Sequence, residues 1–409
     1  RVEPRTSAPL SLHVAAFAVP VAATALLGSL VFLSFSISPL AGLHAFFVAP
    51  VSSAHGLSEL LVKAAPLTLI GCGLALAFRS NTWNIGAEGQ FTLGAIAGCG
   101  VALFAPWQDS ALMLPAMILA ALAAGAFWAG IVAWLRTRFA ANEILSSLML
   151  VYVAQFLLLW LVQGPWRDPD GFNFPETRLL QDAATLSPLL PGTRLHSGVL
   201  FVLPAAVCLW LILYRSLFGF QLRVVGAAPR AARFAGFSRA RIIWLTLCLG
   251  GALAGLAGTL EVSGVIGQLV PRISPGYGFT AIIVAFLGGL HPLGVVAAAL
   301  LVALTYLGAE TAQILLGLPH AAAGIFQGLL LFTVLGGGFL RRYRVRVIPR
   351  ADTATAGTAG TTNTAPSLSS SSSTITGTTK TAPSLSPSSS TTTAPSLSSS
   401  TITETTKTA

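Results

Sequence analysis

The sequence predicts an all-α polytopic membrane protein, and three observations carry that prediction. The chain of 409 residues is 54% hydrophobic and only 9% charged, against roughly 25% charged residues in a soluble domain, so it lacks the polar surface to coat a globule in water. Runs of about 20 apolar residues recur from residue 11 to residue 340, each long enough to cross a hydrocarbon core of roughly 30 Å as a helix. Within each run the apolarity is continuous, whereas a barrel strand would alternate.

In chain order, spans are expected near residues 12–35, 57–78, 85–105, 111–135, 144–163, 198–214, 242–262, 278–290, 293–309 and 320–340, ten membrane segments in all. The first follows a short basic segment, Arg1 to Thr6, exceeds a signal-peptide core and has no small-residue cleavage site, so it reads as an uncleaved span. The chain starts with Arg and not Met, and residues preceding Arg1 are expected. The eighth segment is too short to cross alone at about 1.5 Å per residue. It reads as a half-helix interrupted at Gly288-Gly289 and His291-Pro292.

The net charge of +10 reports topology and not nucleic acid, because the arginines sit in short segments between apolar runs. Alternate segments collect them: Arg79, Arg136 and Arg138, then Arg215 to Arg241, then Arg341 to Arg350. The opposite set holds Arg167, Arg178, Arg194 and Arg272, mixed with Asp168, Asp170, Glu176 and Asp182. The positive-inside rule then predicts both termini in the cytoplasm. Cys72, Cys99, Cys208 and Cys248 lie singly inside apolar stretches and read as small packing residues. Residues 348–409 turn to Ser/Thr/Ala/Pro, with an imperfect Thr-Ala-Pro-Ser-Leu-Ser repeat, and predict a disordered low-complexity tail without chemistry.

Two polar stretches stand out. From Arg79 to Thr92, Asn84, Glu88 and Gln90 lie beside or within apolar sequence. A charge at the bilayer centre costs about 2.5–3.5 kcal/mol on insertion scales, so such residues face a cavity, a partner or the bundle interior. Gly86 and Gly89 would let the backbone turn or another helix approach, as interrupted helices at transport sites require. The plainer reading is a turn with an ordinary cap, Asn84 preceding the helix and Glu88 in its first turn. Between Arg215 and Arg241, Pro229 suits a first helical position and Gly236 a C-terminal stop, so a basic helix of about two turns fits between them. A topogenic arginine cluster needs neither the Pro nor the Gly; a docking element for a cytoplasmic partner accounts for both.

Smaller signals follow. Gly89-Gln-Phe-Thr92 is echoed by Tyr277-Gly-Phe-Thr280, as an inverted repeat of broken helices would produce. Gly251, Gly255 and Gly258 form a small-residue face for close helix contact. Glu261 reads as an interfacial glutamate facing water, and Lys63 as a side chain snorkelling to the outer interface.

These stretches closely resemble the permease subunits of bacterial ABC importers for simple sugars and nucleosides, the ribose-type family and especially its nucleoside branch. The resemblance covers about residues 55–340. It rests on Phe78 to Gln90, Asn142-Glu-Ile-Leu-Ser-Ser-Leu-Met-Leu, Gly192 to Gly198, Gly219 to Gly236, Gly250 to Gly258 and Ser274-Pro-Gly-Tyr-Gly-Phe-Thr280, six segments in the right order. It implies a transmembrane permease domain over residues 1–347, in a bacterial plasma membrane, moving a nucleoside or nucleobase, or alternatively a simple sugar. It implies as partners a second permease subunit, a cytoplasmic ATP-binding subunit and an external lipoprotein-type substrate-binding protein. Translocation-path or pivot candidates are Asn84, Glu88, Gly89, Gln90, Tyr277 and Phe279. Coupling candidates are Pro229, Arg230, Ala232, Arg233 and Gly236.

No Gly-x-x-x-x-Gly-Lys-Ser/Thr occurs, and the only lysines are Lys63, Lys380 and Lys407, so ATP and magnesium are expected on the partner subunit and no cofactor on this chain. A secondary transporter would share the broken helices and a buried Glu but would work alone. A membrane enzyme or metal site is disfavoured because His13, His44, His55, His196, His291 and His320 are scattered.

Overall fold

The structure, a computed structural model, describes residues 2–4, 10–107, 109–319 and 343–345, with the pairs 324–325, 328–329, 332–333 and 336–337. Polar residues at the breaks between apolar runs start the helices. Ser53, Asn142, Ser216 and Ser238 each accept a hydrogen bond from an early amide of the helix they precede, satisfying donors that have no intrahelical partner.

The helices are α1 (Leu10–Ser34), α2 (Pro39–Leu43), α3 (Ala54–Arg79), α4 (Ala87–Phe104), α5 (Met113–Phe139), α6 (Glu143–Gln163), α7 (Val202–Arg215), α8 (Leu217–Ala227), α9 (Pro229–Phe234), α10 (Arg239–Glu261), α11 (Tyr277–Leu287) and α12 (Pro292–Leu316). Among the described residues, seven helices have the length and apolarity to cross a membrane, or eight if a pair bent by 118°, Ala22–Ser34 with Pro39–Val51, counts as one span. Two three-residue strands, β1 (Val2–Pro4) and β2 (Tyr343–Val345), pair antiparallel.

α3 is the axis of the bundle. Its apolar stretch is 89% buried, whereas that of α6 is 28% buried, so α6 presents most of its surface outward. Around α3 pack α10, α11 and α12, and α10 also crosses α4 and α5. Lipid supplies no hydrophobic drive between helices, so contact depends on close backbone approach through small residues. Gly255 lies against Gly94 and Ala121, and Gly251 against Gly125. A methyl group at Gly94 would overlap the Gly255 backbone, which accounts for the small-residue face of α10.

Two expectations need correction. Residues 39–51 form helical turns folded back from α1, where the sequence suggested only a connection; Pro39 and Pro50 hid a segment too short to register as a span. The 215–241 stretch carries a second helix, α8, ahead of the expected short one. The tenth span and the tail fall largely or wholly outside the described residues. The break after the eighth segment lies where the sequence placed it: α11 stops at Leu287, Gly289 and Leu290 take positive φ of 66° and 57°, and Pro292 opens α12.

Candidate functional site

Two helices begin inside the bundle, and their N-termini meet. α11 starts at Tyr277 and α4 at Ala87; the Gly278 amide donates to Glu88 Oε2 at 2.6 Å. The Glu88 carboxylate therefore lies in the first turn of one helix and caps the first turn of another, a position where both dipoles favour a negative charge. A side chain at Gly278 would overlap the Glu88 backbone, so glycine is required for this contact. Ser274 holds the other half, its Oγ accepting from the Gly276 and Tyr277 amides at 2.9 Å.

The backbone leading to α4 is irregular and would expose amides in an apolar setting. Side chains of α6 satisfy two of them: Trp83 N donates to Glu143 Oε1 at 3.4 Å, and Ile85 N to Ser147 Oγ at 3.2 Å. Glu143 also pairs with Arg136. Asn84 and Gln90 form a reciprocal amide pair, Asn84 Nδ2 donating to Gln90 Oε1 at 3.0 Å and Gln90 Nε2 to Asn84 Oδ1 at 3.1 Å. Asn84 Oδ1 also accepts from Gly86 N, and Gly86, not Asn84, occupies the N-cap position. Both amides are buried and bond reciprocally, which makes them a clasp on the break. Gly89 lies against the α6 backbone at Val151.

Beside this junction lies a cavity of about 540 Å³, bounded by Glu88 and Thr92 of α4, Gln155 and Phe156 of α6, Arg272, and Phe279 of α11. Of the six path candidates, Glu88 and Phe279 line it. Tyr277 is buried, with its ring edge-on to Phe91 and Tyr306; Asn84, Gly89 and Gln90 lie behind the wall. Sequence reasoning missed Gln155 and Arg272, which stand alone in apolar or loop sequence. It also missed Glu143 and Ser147, although their i, i+4 spacing on α6 marks one face.

A second polar group sits near the opposite ends of these helices. Glu59 receives both Nε and Nη2 of Arg194, at 3.0 and 2.5 Å, and Lys63 donates to Glu310 at 2.9 Å. Lys63 thus reaches a half-exposed carboxylate of α12. Glu261, expected to face water, is buried at the end of α10, because the helix continues as a π-turn over Val262–Ile266. His196 is 3% exposed and its Nδ1 has no partner among the described residues. Burial lowers its pKa to about 4.

The coupling candidates form the predicted short helix. Pro229 is its first residue; Gly236 N donates to Arg233 O and Phe237 N to Ala232 O, the two bonds of a Schellman stop, with Gly236 at φ +76°. Arg230 and Arg233 point outward, while Ala232 is buried in this chain's own core. The face presented outward is carried by Phe234, 95% exposed, which the sequence reading passed over. A hollow of about 530 Å³ lies beside it, lined by Val225, Arg230, Arg233 and Phe237 among others.

Comparison with known proteins adds an independent line. The family described as "Branched-chain amino acid transport system / permease component" matches residues 56–335. The chain is 38% identical to the glucose ABC transporter permease protein TsgB13 of Haloferax volcanii, over 85% of this chain and 93% of that one. It is 32% identical to the guanosine ABC transporter permease protein NupP of Bacillus subtilis, over 77% and 90%. It is 30% identical to the nucleoside ABC transporter permease protein NupB of Lactococcus lactis subsp. cremoris, over 69% and 80%.

Proposed function

The chain belongs to this family of transport-system permease components, and on that premise we propose that it forms the membrane channel of an ATP-driven importer passing a nucleoside or nucleobase from an external binding protein to the cytoplasm. It is a multi-pass membrane transport component. The observation that carries the reading is the junction at Glu88, where two broken helices start inside the bundle beside a cavity, the way transporters frame a solute path. Phe156 and Phe279 offer faces for a planar base, and Gln155 and Arg272 offer hydrogen bonds to its edge or to ribose hydroxyls.

A second reading, a simple sugar, is favoured by the identity to the glucose permease protein, and the same polar groups would serve it. In either case ATP and magnesium belong to a separate cytoplasmic subunit docked at α9, because no phosphate-cradling loop occurs in this sequence. A second permease subunit completes the channel. Both termini face the cytoplasm, a placement supported by the arginine distribution and by the pairing of β1 with β2. Residues 348–409 are a dispensable tail.

The test is uptake by proteoliposomes holding the chain with its permease partner, ATP-binding subunit and binding protein. ATP-dependent entry of labelled guanosine is expected. Entry of glucose alone would select the second reading, and uptake by the chain without ATP or partners would overturn the importer in favour of a secondary carrier.

A further inference from the structure

Where α5 ends and α10 begins, the two helices flank an open cavity of about 300 Å³ lined by Arg136, Thr137, Ala140, Arg239, Ala240 and Ile243. Its chemistry differs from that of the Glu88 cavity. Arg136 is held on one side by Glu143, but Arg239 makes no ion pair among the described residues. The lining therefore holds two guanidinium groups, of which one carries a carboxylate partner. The floor is apolar, Ile243 being buried, so one end of the cavity suits an anion and the other a hydrocarbon.

Aromatic side chains surround it. Trp134, Phe139 and Trp244 are exposed, at the helix ends where aromatic rings mark a membrane–water boundary. Trp244 Nε1 donates to Thr137 Oγ1 at 3.2 Å, tying α10 to α5 across the cavity wall. Trp134 packs edge-on against Phe139. Below this belt both helices are apolar on their outward faces, as Phe127 and Leu245 show. An acyl chain can lie along that surface while its headgroup stays at the arginines.

We propose that this cavity is a binding site for the phosphate headgroup of an anionic phospholipid, held by Arg239 and Arg136. Basic pockets between membrane helices on the cytoplasmic side select such headgroups, and guanidinium groups match phosphate oxygens in pairs. The lipid would brace α10, the helix that crosses α3, α4 and α5, against α5 at the membrane surface. The cytoplasmic placement rests on the topology proposed above; the cavity itself does not.

The assembled transporter is reconstituted in nanodiscs of equal phosphatidylglycerol and phosphatidylcholine, extracted in mild detergent, and the retained lipids are measured by native mass spectrometry. Phosphatidylglycerol is expected to be enriched in the wild type, and Arg239→Gln to lower the enrichment about fivefold, the factor that ~1 kcal/mol per basic residue corresponds to. Arg223→Gln, a basic residue on α8, is the control and leaves the enrichment unchanged. Equal loss in both variants, or none in Arg239→Gln, overturns the site. Two further arms separate other sources of the same chemistry. Displacement of the lipid by millimolar inorganic phosphate would make this a free-phosphate site. Loss of the ATP-binding subunit from Arg239→Gln with lipid retention intact would assign the arginines to that protein partner, and either result rejects the lipid proposal without touching the transport reading.

Discussion

The Glu88 junction and the α9 element both interrupt an apolar chain with polar groups, yet they handle polarity in opposite ways. At the junction the polar atoms turn inward: Asn84 meets Gln90, Glu88 meets Gly278 N, and the extended backbone meets Glu143 and Ser147. At α9 only Ala232 turns inward, and Arg230, Arg233 and Phe234 are left exposed. An unmade hydrogen bond in a low-dielectric interior costs about 1–3 kcal/mol, so the buried break must be self-satisfied. A surface helix is under no such constraint, and a fully exposed Phe held on a rigid, capped helix is what an external partner would cover. Self-satisfaction goes with the buried break; exposure of apolar and charged groups goes with the surface helix.

Changing the junction should have the largest effect. Gly278→Ala places a methyl group into the Glu88 backbone, which the two helix starts cannot absorb without separating, at a cost of about 3 kcal/mol or more. ATP-driven uptake is expected to vanish while membrane insertion persists. Normal transport by this variant would show that the close approach of the two helices is incidental.

His196 breaks the rule that buried polar groups here are satisfied, and it offers a stability test. Its pKa is about 4 when folded, against an ordinary 6.5, so the unfolded chain takes up a proton first as pH falls. The native state is accordingly favoured above pH 6.5 and loses stability between 6.5 and 4, by roughly 2 kcal/mol at pH 5. Thermal unfolding in detergent at pH 7 and pH 5 should show that loss in the wild type and much less of it in His196→Gln. Equal pH dependence would place the effect elsewhere.

A third test separates charge from geometry at the junction. Glu88→Gln retains an oxygen to accept from Gly278 N but replaces a charge-assisted bond with a neutral one, roughly 1.4 kcal/mol weaker. Uptake should fall about tenfold with the fold intact. Unchanged uptake would reduce the carboxylate to a helix cap.

How much of this was legible in the sequence follows the same division. Spacing revealed what is local: the apolar spans, the break at Gly288 to Pro292, and the Pro229 to Gly236 helix with its stop signal. The sequence also marked Glu88 as costly, and an echo at Tyr277-Gly-Phe-Thr280 hinted at the second helix start. It did not reveal that Asn84 and Gln90 bond to each other, because a clasp and a pair of free ligands have the same composition. Nor did it show Ala232 pointing inward and Phe234 outward, since in a six-residue helix the apolar period is too short to define a face. Glu261 was misjudged for a related reason, as depth in the bundle depends on which helices lie alongside.

That correction also changes how α9 is probed. Ala232→Trp would strike this chain's own core and report misfolding, so it cannot identify a docking surface. Phe234→Ala removes only exposed ring surface; if the ATP-binding subunit covers it, truncating such an anchor costs more than 1 kcal/mol, about fivefold in affinity. Co-purification of the ATP-binding subunit should weaken by that factor, and the ATPase stimulation by loaded binding protein should fall with it. Arg233→Ala, a charge at a solvated rim, should change either quantity less than twofold at physiological salt. The two substitutions are neighbours on one helix and leave Ala232 untouched, so a shared loss of fold cannot produce a difference between them. Should Arg233→Ala prove the more damaging, α9 docks by charge instead of by its aromatic anchor, and the contrast drawn here between a self-satisfied interior and a hydrophobic display would hold only for its first half.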